Sequence, residues 1–274
     1  NLSDYQLPTR LLHSIYSRLS HLRDVNYLHL QKLSVVQTPL TRELMLYILK
    51  IKDAELYSLL NDSIYNEILR KQRKYYYFTF IEAKQRLFSE CNERRQILVS
   101  QRVLKFYAKE TVLDFDTCKG LIANAFLAND YYCARSYYLQ YYAMLNQENE
   151  QEQAFEAILN VINLDFNPAL QIPLKDIIAD ISIFQEKMEI TGFFERARFI
   201  LQRIAELPDF FEKYYLLGTV NFLAENLRVA LKYFQTAEKY VQTGKHQLLV
   251  WLAYAQIYTK LDLSQMKLYI DQAL

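Results

Sequence analysis

Residues 211–244, FEKYYLLGTVNFLAENLRVALKYFQTAEKYVQTG, decide the fold class of this 274-residue chain. Two amphipathic helices are predicted here, because apolar or small residues recur at helical spacing on both sides of a turn at Glu225-Asn226. Small residues at Gly218 and Ala230 allow the helices to approach closely, and Phe234 fills the space between them. The recurring positions are Tyr214, Leu217, Gly218, Phe222, Leu227, Ala230, Phe234 and Ala237.

This segment resembles a tetratricopeptide repeat. The large-small pair of the family's first helix matches Leu217-Gly218, and three positions of its second helix match Ala230, Phe234 and Ala237. The resemblance implies an all-α fold, an α-solenoid of antiparallel helix pairs that winds into a right-handed superhelix.

Weaker copies of the pattern are predicted across residues 111–274. One pair at 115–143 turns at Asn129-Asp130, and another at 178–210 has its central alanine, Ala197, 33 residues before Ala230. That interval is close to the family's period of about 34 residues. A last pair follows the opening one and ends in a helix with Met266, Ile270 and Ala273, while the prolines of 165–173 predict a break.

Residues 1–110 are predicted to be a separate helical region, made of degenerate repeats or a compact cap. They carry 18 Lys and Arg against 11 Asp and Glu, whereas residues 111–274 carry 14 against 20, so the two parts have formal charges of +7 and −6. Helices are expected from apolar spacing, and Asp62 is predicted to begin one that continues through Leu69. No Asn-Gly or Asp-Gly turn and no sustained alternation indicates a strand.

A basic, Tyr-rich stretch at 70–109 has two interpretations. It holds eleven Lys and Arg against three Asp and Glu, and an aromatic run at 75–80 lies among them. Charge and rings together are what single-stranded nucleic acid or an acidic peptide requires. Packing is favoured, because Tyr76, Phe80, Ala83 and Leu87 share one face at helical spacing. The sequence therefore argues against nucleic-acid binding through this chain.

Catalytic chemistry is not indicated. The four histidines are scattered, no metal-ligand spacing is present, and no glycine-rich phosphate loop occurs. Asp114 and Asp116 are predicted to start a helix, where the helix dipole favours acids. Cys91, Cys118 and Cys133 are expected to be reduced thiols. We therefore expect no enzyme, no metal and no cofactor.

Membrane insertion is not indicated either. No apolar run of about 18 residues is present, so no membrane span is expected. The first ten residues are polar and contain no signal peptide. The expected location is the cytoplasm, although a chain without an initial Met is compatible with a fragment that has lost a signal, an anchor or a further domain.

The resemblance implies a non-catalytic scaffold whose concave face binds a protein or peptide segment. An alternative is the peptide-sensing part of a transcriptional regulator, with its DNA-binding domain absent from this chain, since no helix-turn-helix is recognised in residues 1–65. A homo-oligomer is compatible with either. The family's groove positions match six residues here, which are therefore the predicted binding residues: Lys119, Phe126, Glu212, Tyr215, Thr219 and Phe222.

Overall fold

The computed structural model describes residues 9–110, 112–167, 169–191, 194–261 and 270–271. In these residues the chain forms fourteen helices and a single two-stranded sheet, so the predicted helical class is confirmed. Two compact units are present, unit 1 (residues 1–141) and unit 2 (residues 142–274), and the division lies later than the boundary at 110 that charge predicted.

Unit 1 begins with four helices, continues with a β-hairpin and ends with four helices, the last of which crosses the division. Their bounds are α1 Thr9–Ser20, α2 Asp24–Ser34, α3 Arg42–Leu49, α4 Asp53–Tyr65, β1 Leu69–Gln72, β2 Tyr75–Phe78, α5 Ile81–Ser89, α6 Glu93–Tyr107, α7 Phe115–Leu127 and α8 Tyr131–Gln147.

Helix α4 continues through Asp62, so the prediction that a new helix begins there is wrong. The Asp62 carboxylate accepts a hydrogen bond of 2.6 Å from Asn26 Nδ2 on α2 and one of 3.1 Å from Asn66 Nδ2. Asp62 therefore links two helices. Aspartate is also a preferred N-cap residue, so the residue type alone does not distinguish the two roles. Asp114, in contrast, does cap α7, because its Oδ1 accepts from the Thr117 backbone N–H at 2.7 Å.

The expectation that residues 1–110 are helical fails at 69–78, because β1 and β2 form an antiparallel hairpin there. An isolated two-stranded hairpin is marginal in water, so this one requires support from its surroundings. Leu69 and Tyr76 are buried, and the Tyr76 backbone N–H donates to the Leu40 carbonyl at 2.8 Å. Tyr76 therefore lies in a strand, and it does not share a helix face with Ala83 and Leu87.

Helix α7 is held against the loop that follows α2. Asn124 is completely buried, and its Nδ2 donates to the Val35 carbonyl and to Ser100 Oγ, each at 3.1 Å. Its Oδ1 accepts from the Gln37 backbone N–H at 2.9 Å. Gly120 permits this approach, because a Cβ there would lie 2.5 Å from the Gln37 carbonyl oxygen. The first half of unit 1 is thereby attached to α6 and α7.

Unit 2 consists of helices, most of which pack on the helix next to them in the sequence. Phe155 and Phe184 join the first two, with stacked rings whose centroids are 5.7 Å apart. Among the residues that the structure describes, none of its helices, nor any in unit 1, combines the length and apolar composition that crossing a bilayer requires. The bounds are α9 Gln151–Asp165, α10 Leu174–Thr191, α11 Phe194–Ala205, α12 Phe211–Leu223, α13 Leu227–Glu238 and α14 Gly244–Leu261.

Helices α12 and α13 correspond to the pair predicted from residues 211–244. The turn lies at Glu225, whose φ is 60°, and Ala230, Phe234 and Ala237 are buried. Three residues used to extend the repeat lie outside the described part of the chain or have side chains that it does not describe: Ala197, Met266 and Ala273.

Candidate functional site

Helices α3 and α4 follow one another across a short turn, so the chain here has the order helix, turn, helix. Thr41 caps α3 through a 3.2 Å hydrogen bond from the Leu44 backbone N–H to its Oγ1. The connection to α4 is the three residues Lys50 to Lys52, and Lys50 has a left-handed φ of 56°. A helix-turn-helix commonly has a turn of three or four residues with glycine in it. Lysine occupies the left-handed position here, which removes the glycine signal from the sequence.

The two helices are fixed by a shared apolar core, and one face of α4 is left exposed. Leu56, Leu59 and Leu60 are buried on α4, and their counterparts on α3 are buried with them. The exposed face includes Tyr57 and Tyr65, whose exposed fractions are 64% and 87%. The exposed stripe of α4, defined by helical spacing, is Ala54, Tyr57, Ser58, Asn61 and Tyr65.

Arg23 lies beside this stripe. It is exposed at the N-terminus of α2, and together with Tyr57, Asn61 and Tyr65 it lines an open cleft. Helix α4 itself contains neither Lys nor Arg. Cationic groups therefore reach the stripe only from neighbouring elements.

The tip of the hairpin carries four cations. Its backbone turns at Arg73, which has a left-handed φ of 56°. Lys71 Nζ lies 5.8 Å from the centroid of the Tyr76 ring, and Lys74 Nζ lies 5.2 Å from that of Tyr75, so both ammonium groups lie over aromatic rings. We name Arg70, Lys71, Gln72, Arg73 and Lys74, all exposed, the basic tip.

Charges nearer α4 are partly neutralised. Arg42 Nη2 lies 2.7 Å from Asp53 Oδ1, and Arg18 pairs with Glu67. Hydrogen bonding to Asp53 raises the pKa of Arg42, which is charged throughout the accessible pH range in any case. None of the residues in the basic tip has a carboxylate within ion-pair distance in the part of the chain that the structure describes. The basic tip is therefore the strongest unneutralised charge of unit 1's first half.

Four of the six predicted binding residues lie in unit 2, and two of them, Tyr215 and Thr219, are buried. Tyr215 is only 7% exposed, with its ring 5.5 Å from Phe211 and 5.2 Å from Phe234. Thr219 is equally buried and donates its hydroxyl to the Tyr215 carbonyl at 3.1 Å. The expectation that these side chains face a channel is therefore wrong.

The physical reason is that α14 covers the predicted face. Val250, Ala253 and Tyr254 of α14 belong to the same buried cluster as Tyr215. Glu212 is half-buried, with Oε1 3.5 Å from His246 Nε2, and Phe222 is half-buried against the cluster. A single helix pair shows which residues are apolar, but it does not show which of its two faces a later helix will cover.

Lys119 and Phe126 belong to unit 1. Both are exposed on α7, and Phe126 is 40% exposed with Tyr131 and Tyr138 packed edge-on against it. Lys119 Nζ lies 5.5 Å from the centroid of the Tyr141 ring. These two are the predicted residues that remain accessible. They are not in the same unit as the other four.

The site that the sequence missed did leave one signal. Residues 75–78 read YYYF, and aromatic residues are enriched in strands. The signal is weak because three successive residues of β1, Arg70 to Gln72, are exposed, which removes the alternation that marks a half-buried strand. The turn is Arg73-Lys74, which carries no glycine or asparagine.

Comparison with known proteins gives no relative. No protein-family model matches the chain, and neither a curated protein nor a solved structure is similar to it.

Proposed function

We propose that this chain is a DNA-binding regulator: unit 1 binds double-stranded DNA through α3, α4 and the hairpin, and unit 2 binds a protein or peptide segment. The observation that carries the proposal is a helix-turn-helix followed directly by a hairpin with a basic tip. In such motifs the second helix enters the major groove, and the first crosses the backbone.

The exposed stripe of α4 has the chemistry of base contact. Asn61 and Ser58 supply hydrogen-bonding groups, and Tyr57 supplies an apolar edge. Asparagine pairs with the edge of adenine, and apolar groups contact the methyl group of thymine. Because α4 contains neither Lys nor Arg, it cannot make the bidentate contact of these side chains with guanine. The stripe therefore favours A·T pairs.

The basic tip has the chemistry of phosphate contact. Four of its five residues are cationic, and Arg23 adds a fifth charge beside the stripe. Contacts with phosphates position a protein on the duplex and make its affinity depend on salt. The aromatic residues of β2 are partly or wholly buried, which leaves them poorly suited to stacking on unpaired bases. Duplex DNA is accordingly a better fit than a single strand.

For unit 2 the support is the resemblance of α12 and α13 to a tetratricopeptide repeat, with Gly218, Ala230 and Phe234 at the close approach. We propose that its helix pairs belong to an α-solenoid and that the solenoid binds a segment of another protein. Enrichment of a consensus from a random peptide library displayed against the full chain tests this part. A non-catalytic scaffold without DNA binding is the competing function, and it predicts no association with DNA.

The test is fluorescence anisotropy of a labelled random-sequence duplex with the full chain, measured over a salt series. We expect Arg73→Gln with Lys74→Gln to weaken binding by about tenfold and to reduce the slope of log K against log salt by about 1.8, or 0.9 for each lost phosphate contact. The matched control is Lys232→Gln with Lys239→Gln, two exposed lysines of α13 and its end.

Equal weakening by both pairs of substitutions would mean that the net charge of the chain, and not the basic tip, determines DNA binding. No salt-dependent binding by the wild-type chain would exclude the DNA-binding function.

Base reading by α4 is tested separately, by selecting duplexes from a random pool. We expect wild type to enrich an A·T-containing motif. Asn61→Ala is expected to lose the enrichment while it keeps the salt-dependent binding to random DNA.

A further inference from the structure

Behind the hairpin, unit 1 contains a cleft of about 500 Å³. Its walls are the loop after α2, the strand β2, and the facing sides of α5 and α7. It involves none of the residues of the exposed stripe of α4. The cleft therefore needs its own explanation.

Three cations from three different elements line the cleft, and one carboxylate accompanies them. Arg70 comes from β1, Lys84 from α5 and Lys119 from α7, while Asp116 is the acid, so the formal charge of the lining is +2. Elements distant in sequence have converged to place like charges around one space. Such an arrangement raises the local concentration of anions.

Within the described ranges, the ammonium group of Lys84 has only neutral hydrogen-bond acceptors around it. Its Nζ donates to the Val36 carbonyl at 3.0 Å and to Gln37 Oε1 at 3.1 Å, and both acceptors are neutral. An ammonium group has three donors, so one remains for a ligand. In the described residues no carboxylate lies within ion-pair distance of Lys84, and its burial lowers the pKa of the ammonium group. A half-buried charge without a counterion costs free energy, which an anionic ligand would recover.

The cleft is also preformed. The loop that carries Gln37 is fixed by the buried side chain of Asn124, and Gly120 brings α7 against it. Tyr76 fixes the opposite wall through its backbone hydrogen bond to Leu40. Pro39 and the aromatic side chains of β2 supply apolar surface next to the cations. Small-molecule sites have this combination of fixed walls, apolar lining and a few placed polar groups.

We propose that this cleft binds a small molecule that carries one oxyanion, a carboxylate or a phosphate, attached to an apolar body. The oxyanion binds between Lys84 and Lys119, and the apolar body packs on Pro39 and the rings of β2. Arg70 is shared with the basic tip, but Lys84 and Lys119 take no part in the DNA contact proposed for α4 and the basic tip, and the test of this site contains no DNA.

The experiment is calorimetric titration of the full chain with phenyl phosphate, benzoate and neutral benzyl alcohol. We expect the phosphate, the carboxylate or both to bind with a Kd of roughly 1 mM, and benzyl alcohol to bind at least about tenfold more weakly. Comparing the Kd of phenyl phosphate with that of benzoate shows whether the cleft prefers a phosphate or a carboxylate. Inorganic phosphate is expected to bind more weakly than phenyl phosphate, because it lacks the apolar body.

Lys84→Met removes the half-buried charge, and we expect it to weaken binding of the anion by about tenfold or more. Lys119→Met changes an exposed side chain, and it is expected to weaken binding by about threefold or more. The matched control is Lys245→Met, an exposed lysine of α14, which is expected to bind the anion as wild type does.

Binding that is equal in wild type and in both cleft variants overturns the proposal, as does equal binding of benzyl alcohol. Absence of binding by both aromatic anions at about 10 mM overturns it as well.

Discussion

Gly218 of α12 faces the ring of Phe234 on α13, and a Cβ at Gly218 would lie 2.6 Å from Phe234 Cε1. Carbon atoms in contact are normally about 3.5 to 4.0 Å apart, so no side chain fits without moving the ring. The ring is itself 3% exposed, in a cluster with Ala230 and Ala237. The glycine is therefore required by packing in the middle of a helix, where glycine is otherwise unfavourable.

Gly218→Leu is expected to lower the free energy of unfolding of unit 2 by about 1 to 3 kcal/mol, because overpacking outweighs the gain of about 1 kcal/mol in helix propensity. Urea denaturation followed by the fluorescence of Trp251 on α14 measures this directly. Gly244→Leu is the control, since a Cβ there meets nothing within 4 Å. Equal unfolding midpoints for the two variants would show that α12 and α13 are not packed in this register.

The pattern around Gly218 was readable because it is local: two helices adjacent in sequence pack on each other, and spacing alone identifies the facing residues. The hairpin was not readable, since it is supported by Leu40, a residue far from Tyr76 in sequence. Tyr215 was assigned to a groove because nothing in α12 or α13 indicates that α14 returns to cover it. The helix-turn-helix was hidden because Lys50 occupies a position that glycine usually marks.

Asn124 is expected to be the most sensitive polar residue of unit 1. Asn124→Ala removes two donated hydrogen bonds and leaves the Gln37 backbone N–H without its acceptor, and we expect a loss of about 2 to 4 kcal/mol. Circular dichroism during urea denaturation, with hydrogen exchange resolved by peptide, assigns the loss to unit 1. The control is Asn160→Ala. The Asn160 side chain donates a hydrogen bond to the Glu156 carbonyl within its own helix, and its loss is expected to lower the free energy of unfolding by under about 1 kcal/mol.

Arg73 separates stability from charge at the basic tip. A non-glycine residue in the left-handed region strains the folded state by about 1 to 2 kcal/mol. Mutation to glycine removes this strain, but it also raises the entropy of the unfolded chain, which offsets part of the gain in stability. Arg73→Gly is therefore expected to keep or slightly raise thermal stability, while it weakens DNA binding and lowers the salt slope by about 0.9. Glu225→Gly, also left-handed at φ 60°, is the control, and its DNA binding should match wild type. A melting temperature that falls for Arg73→Gly would mean that the side chain supports the hairpin.

Asp209 predicts a pH dependence for unit 2. Hydrogen bonds donated by the Tyr214 hydroxyl, at 2.6 Å, and by Lys213 lower the pKa of its carboxyl group. A carboxyl group with a lowered pKa in the folded state stabilises the fold above its unfolded pKa of about 3.9, and this stabilisation is lost as pH falls through the folded pKa. The free energy of unfolding of wild type should therefore fall between about pH 5 and pH 3 more steeply than that of Asp209→Asn. Identical slopes, measured by Trp251 fluorescence in urea, would contradict the assignment.

Tyr215 distinguishes a core residue from a binding residue. Its ring is enclosed by Phe211, Phe234 and the side chains of α14, so Tyr215→Ala creates a cavity and is expected to cost about 3 to 5 kcal/mol. Tyr215→Phe keeps the ring and should retain most of the stability, which separates packing from loss of the hydroxyl group. Leu248→Ala is the matched control on α14, because Leu248 is an exposed apolar residue whose truncation is expected to change stability by about 0.5 kcal/mol or less. If Tyr215→Ala instead unfolds at the wild-type urea concentration, the ring faces an open groove after all, and the covering of this face by α14 is incorrect.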